Sequence, residues 1–141
     1  TLDRSSAASD VYKRQGELGD AAVATLSAWV RDTGMRPEVI VSLRLTGTNL
    51  AETLAAHLRD VGRRGGGTFP VRMGDPPTDA TGAVEAAYWR DHLGDAPDVA
   101  GQAVLLVVDA SSSGWPITLA AARLREAGAT AVLPLLIHRT V

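Results

Sequence analysis

Apolar positions along the chain follow two patterns. Unbroken runs occur at Val39 to Leu43, interrupted only by Ser42, at Val104 to Val108, and at Ala131 to Ile137. Runs of this length between turn residues predict strands covered on both faces. Between the runs, apolar residues return every three or four positions. Ala22, Val23, Leu26, Trp29 and Val30 share a helical face, with Asp20 as a cap and Gly34 as the stop. Leu50, Leu54, Leu58 and Val61 share another, opened by a capping-box-like Asn49 and Glu52 and closed by Gly62. Val84, Ala87 and Tyr88 mark a third helix ending near Gly94. Ile117, Ala120, Ala121 and Leu124 mark a fourth, with Arg123, Arg125 and Glu126 outward and Gly128 just past its end. Arg63-Arg64-Gly65-Gly66-Gly67 reads as a breaker, Thr68 to Met73 as a strand and Gly74 to Asp79 as a loop. Helices alternating with apolar strands predict an α/β fold: a doubly wound, mostly parallel sheet with helices on both faces and any ligand outside the carboxyl ends of the strands.

One strand end carries candidate chemistry. Val104 to Val108 runs into Asp109, then Ala110-Ser111-Ser112-Ser113-Gly114, then Trp115-Pro116-Ile117-Thr118. A small-residue turn that opens a helix presents free backbone N–H groups and favours a phosphate or similar anion. A carboxylate beside it suits sugar hydroxyls. Two readings stand at each position. Asp109 is a ligand contact or a turn-forming aspartate; Ser111, Ser112, Ser113 and Gly114 are an anion cradle or a serine-rich turn that caps the next helix. Ser113 is not an acyl-transfer nucleophile, because Gly-x-Ser-x-Gly is absent.

This turn resembles the ribose-phosphate site of the type I phosphoribosyltransferase fold. Members carry an apolar strand, two adjacent acids, two spacer residues, a Thr/Ser pair, glycine and, after one variable residue, a further Thr. Asp109 matches the second acid, Ser112 and Ser113 the hydroxyl pair, and Gly114 the glycine. Val108 stands in place of the first acid and Pro116 in place of the last Thr. A hydrogen bond to a charged group contributes about 1.5–3 kcal/mol, so Val108 alone implies one or two decades of lost affinity. The segment from Arg36 to Leu136 is also similar to the phosphoribosyltransferase-like region at the C-terminal end of actinobacterial RecQ-type DNA helicases. Arg36-Pro37-Glu38-Val39-Ile40-Val41, Leu50 to Leu58, Gly114 to Thr118 and Leu124 to Leu135 carry the likeness, with Trp115 directly after the turn.

The resemblance implies an accessory domain of a bacterial RecQ-type ATP-dependent helicase acting in DNA repair, without transferase activity or catalytic residues of its own. Its role would be to bind a phosphorylated small molecule or to regulate, with the helicase domains upstream as its partner. The alternative is an active transferase that uses phosphoribosyl pyrophosphate and Mg²⁺, with Asp109 on the ribose and Ser112 to Gly114 on the 5′-phosphate. Arg44 to Thr48 takes the place of the pyrophosphate-contacting loop. Arg44 and the Thr46-Gly47-Thr48 backbone there meet a second anion, or the loop is a solvated connection.

Composition narrows the field. A chain of 141 residues with 45% hydrophobic and 21% charged residues suits one globular domain. A net charge of −2 argues against direct nucleic-acid binding, and zero cysteines exclude disulfides and thiolate metal sites. His57, His92 and His138 lack metal-ligand spacing, so no metal site is expected. Trp29, Trp89 and Trp115 read as packing anchors, Trp115 adjoining the candidate pocket. There is no Gly-x-Gly-x-x-Gly turn and no phosphate-loop Gly-Lys-Ser/Thr, so the chain itself does not hydrolyse ATP. Without an apolar span or signal-like run, a cytoplasmic location away from membranes is expected. Thr1 to Gln15 stand apart: no initiator Met, a Ser5-Ser6-Ala7-Ala8-Ser9 run and the sole lysine, Lys13. They are expected to be a non-native or disordered leader on a fragment whose domain is 16–141.

Overall fold

The computed structural model describes residues 4–77, 81–111 and 113–139. The elements are α1 (Arg4–Thr33), β1 (Val39–Leu43), α2 (Leu50–Gly62), β2 (Gly65–Phe69), α3 (Gly82–His92), β3 (Ala103–Ser111), α4 (Trp115–Glu126) and β4 (Ala131–Arg139). The chain divides into two compact units, Thr1–Arg36 and Pro37–Val141.

The first unit is α1. It begins at Arg4 and runs on past Gly16, so Asp20 is an interior residue, not a cap. Nothing between Arg4 and Gln15 breaks a helix: there is no proline or glycine, and alanine and arginine favour one. The stop is as expected. Gly34 adopts φ 73° and its amide donates to the Val30 carbonyl.

In the second unit all four strands are parallel, in the order β2-β1-β3-β4. The expected doubly wound α/β architecture is what forms. Period-two geometry divides the central strands between two layers. Val39, Val41 and Leu43 of β1, with Val104, Leu106 and Val108 of β3, pack against Trp89, Leu93, Ala120 and Leu124, so α3 and α4 cover that face. Ile40, Leu105 and Val107 turn to the other face, where α2 buries Ala51, Leu54, Ala55 and Leu58. Removing each such Val or Leu from water contributes about 1.5–3 kcal/mol. β4 lies at one sheet margin, which accommodates Pro134 opposite Leu106.

Three local expectations change. β2 spans Gly65–Phe69 rather than Thr68 to Met73, because pairing with β1 converts the glycine breaker into a strand. A Cβ at Gly66 would lie 1.8 Å from the Ile40 carbonyl oxygen, so glycine is what lets the two strands approach. In α3 the buried residues are Ala86 and Trp89, whereas Val84 is 53% exposed, so the inward face is rotated from the one predicted. Arg123 points inward as well. Its Nη1 donates to the Leu93 and Gly94 carbonyls and its Nη2 to that of Arg90, 2.6 Å away, closing the carboxyl end of α3.

The winding defines where a ligand lies. From β1 the chain passes through α2 to β2 at one side of the sheet, and from β3 through α4 to β4 at the other. The loops leaving β1 and β3 therefore diverge to opposite faces, opening a crevice at the carboxyl ends of these two neighbours.

Candidate functional site

Residues 44–49, Ser111 and residues 113–115 bound that crevice, and Asp109 joins them. It is 2% exposed, one residue pair beyond the last β1–β3 match of Leu43 with Val108. Its carboxylate turns toward the β1–α2 loop. Oδ1 accepts from the Leu45 amide at 2.8 Å; Oδ2 accepts from the Thr46 amide at 2.9 Å and from Thr46 Oγ1 at 2.5 Å. The amide of Ala110 also lies 2.9 Å from Oδ1. A carboxylate has about four acceptor positions, and these donors occupy them. Asp109 thus ties the β1–α2 loop to the carboxyl end of β3. Val108, in the place of the adjoining acid, lies fully buried in the apolar layer under α3 and α4 and offers no carboxylate.

Arg44 is engaged too. Its Nε donates to the Thr46 carbonyl at 3.0 Å and its Nη2 to that of Gly47 at 3.2 Å, so the guanidinium wraps its own loop. Thr46 Oγ1 and Thr48 Oγ1 lie 3.1 Å apart, drawing the loop into a compact knot around Asp109.

The serine turn is organised differently from a side-chain cap. Ser111 Oγ donates to the Ser113 carbonyl at 2.5 Å, and Ser113 Oγ donates to Glu85 Oε1 of α3. Gly114 is the N-cap of α4 and supplies no side-chain bond; Pro116 occupies the first turn, where its missing N–H costs nothing. Ser112 lies outside the described residues. Among the described residues no side chain caps the amides of the helix head, and the Glu85 carboxylate lies nearby, a charge that the helix dipole favours. Trp115 is 39% exposed, and its ring passes so close to Gly82 that a Cβ there would lie 3.2 Å from Cζ2.

Asp109, Ser111, Ser113, Gly114 and Arg44 therefore belong to one region, but their polar atoms are largely spent on one another and on main chain. Thr46 was legible as part of the Arg44 to Thr48 loop but not as the partner of Asp109, and Glu85 was not legible as a member. They lie 63 and 28 residues from their partners, and no local pattern announces such pairing. Among the described residues no group of three or more His, Asp or Glu is placed to hold a metal ion. No described helix is long and apolar enough to cross a membrane. Trp89, expected as a packing anchor, is one; its Nε1 is buried with no hydrogen-bond partner among the described residues.

No protein-family model matches the chain. No curated protein matches it in sequence. Solved structures do match in shape. A purine phosphoribosyltransferase from Pyrococcus horikoshii is 16% identical with a TM-score of 0.51, over 87% of this chain and 81% of that one. A hypoxanthine phosphoribosyltransferase from Trypanosoma cruzi is 12% identical with a TM-score of 0.56, over 89% and 73%. An allosteric regulatory enzyme of purine biosynthesis is 18% identical with a TM-score of 0.51, over 77% of this chain but 23% of its own. Parallel strand order, the crevice between β1 and β3 and these likenesses agree: the chain has the fold of the type I phosphoribosyltransferases.

Proposed function

We propose that this chain is an accessory phosphoribosyltransferase-like domain of a bacterial RecQ-type DNA helicase, without transferase activity, that binds a phosphate-containing ligand or regulates the helicase domains upstream of it. The observation that carries the inactive reading is the inward carboxylate of Asp109. The acid that would grip ribose accepts instead from Leu45 and Thr46, and Val108 supplies no second one. Breaking those bonds to bind a sugar replaces one set of charged hydrogen bonds, each contributing about 1.5–3 kcal/mol, with another. Little net affinity remains. The uncapped amides at the head of α4 are what an anion would use.

An active transferase using phosphoribosyl pyrophosphate and Mg²⁺ is the second reading, favoured by the shared fold and by the crevice at the switch point between β1 and β3. Asp109 and Ser113–Gly114 are the groups such a substrate would meet. Calorimetry with phosphoribosyl pyrophosphate and Mg²⁺ separates the two. The accessory reading expects millimolar or no binding. Micromolar binding that Asp109→Asn abolishes, in protein shown by circular dichroism to remain folded, overturns the accessory reading. The helicase assignment is tested on the intact reading frame: motor motifs ahead of Gly16 support it, and a start codon close to that point overturns it.

A further inference from the structure

We propose that the β2 edge of the sheet is a docking site for an acidic peptide in extended conformation, which adds to β2 as a further strand. The first observation is an inversion of residue use around Arg63. This arginine adopts φ 52° and ψ 46° at the end of α2, the left-handed conformation in which glycine is usual, and no other described non-glycine residue has positive φ. Gly65 and Gly67 follow in ordinary strand conformations, and a Cβ on either would meet nothing within 4 Å. Only Gly66 is demanded by the packing. The chain places a charged side chain where the backbone resists one and leaves side chains out where the fold would accept them. Strained residues of this kind persist where function requires them, and glycine in a strand marks close approach of another backbone.

The second observation is position and charge. β2 ends the strand order, so among the described residues nothing pairs with its outer side. Gly65, Gly66 and Thr68 are exposed, which leaves a length of bare backbone. Arg63 and Arg64 are exposed at one end of it and Arg72 at the other. Strand addition supplies main-chain hydrogen bonds, and the arginines select the partner's charge. They also select against a second copy of this chain. A parallel copy would set Arg63 and Arg64 on themselves, and an antiparallel copy would set them against Arg72. A carboxylate-bearing strand meets no such repulsion.

The test uses the full chain, labelled with ¹⁵N, and end-capped eight-residue peptides alternating Glu with Val or Lys with Val. A third peptide repeats the Glu sequence with alternate amides N-methylated along one edge, which keeps the charge but blocks pairing. The Glu peptide is expected to shift the amides of Gly65 to Phe69 saturably, at least tenfold more tightly than the Lys or methylated peptides, and the double variant Arg63→Glu/Arg64→Glu to lose at least tenfold. Arg63→Gly separates a docking role from a structural one: it is expected to raise Tm, because glycine suits φ 52°, while weakening the peptide at least threefold. Equal binding of the Glu and methylated peptides overturns the proposal, as does absence of a saturable shift with the Glu peptide at 2 mM (roughly −3.7 kcal/mol). A short oligonucleotide that shifts the same amides at lower concentration overturns it in favour of a nucleic-acid surface.

Discussion

Asp109→Asn is a nearly isosteric change that isolates the charge and one acceptor oxygen. In the native chain Oδ1 serves the Leu45 amide, Oδ2 serves both the amide and hydroxyl of Thr46, and the aspartate is 2% exposed. An NH₂ in place of either oxygen faces donors, so one or two bonds to a charged acceptor are lost and their donors left unmatched. At about 1.5–3 kcal/mol each, partly relieved because the loop is half-exposed and the Thr46 hydroxyl can turn, the expected cost is about 2–4 kcal/mol. For a domain of this size that corresponds to a fall in Tm of roughly 6–12 °C. Urea unfolding followed by circular dichroism gives the free energy, and calorimetry the Tm. Thr46→Val keeps the backbone bond to Asp109 but removes the hydroxyl bond to it together with the Thr46–Thr48 contact, and should cost about 1–2 kcal/mol. In the double variant the two effects should couple by about 1 kcal/mol, since the groups touch. If Asp109→Asn lies within about 0.5 kcal/mol of the parent, the carboxylate does not bind the β1–α2 loop to β3. The account of an acid diverted from ligand binding then fails.

Three further outcomes follow from other contacts. Arg123→Ala strips donors from the Arg90, Leu93 and Gly94 carbonyls and is expected to cost about 2–3 kcal/mol by urea titration, with Arg123→Lys recovering less than half because one ammonium does not reproduce the fork. Gly66→Ala drives a Cβ into the Ile40 carbonyl and should cost more than about 3 kcal/mol, whereas Gly65→Ala and Gly67→Ala should be neutral or stabilise by up to about 1 kcal/mol; similar melting temperatures for all three would show that β2 does not press on β1. Burial raises the pKa of Tyr88, and the Asp75 carboxylate adds to the rise against a smaller opposing effect of Arg72. The folded chain therefore holds this proton more tightly than the unfolded one. Its contribution is complete below the unfolded tyrosine value of about 10 and is lost as pH climbs through the higher folded value, so unfolding free energy should decline at alkaline pH less steeply in Tyr88→Phe.

Much of the architecture was legible because its signals are short-ranged. The β-branched run of β1 and the five apolar residues before Asp109 form buried strands as read, and the spacing within α2 and α4 meets a helix's period, whereas the stretch from Ala131, read as a buried strand, is a strand that stays partly exposed because β4 lies at the sheet margin. Gly34 and Gly128, with φ of 73° and 102°, end their helices as expected. The glycines of β2 were misread because isolated they disfavour a strand, while beside Ile40 one of them is required. The inward face of α3 was misplaced because the helix buries only Ala86 and Trp89 strongly, too few to impose a clear stripe.

The site divides along the same line. That a carboxylate and a serine-rich turn follow a buried strand, and that Val108 and Pro116 replace a carboxylate and a hydroxyl, are properties of consecutive residues and are fully written in their order. What the carboxylate does is not. Its partners, Leu45 and Thr46, come from more than sixty residues away, and Glu85 reaches Ser113 across 28. Only the parallel alignment of β1 with β3, and of α3 beside α4, brings them within hydrogen-bonding distance. A carboxylate forms the bonds its neighbours offer, and neighbours are assigned by packing, not by chain order.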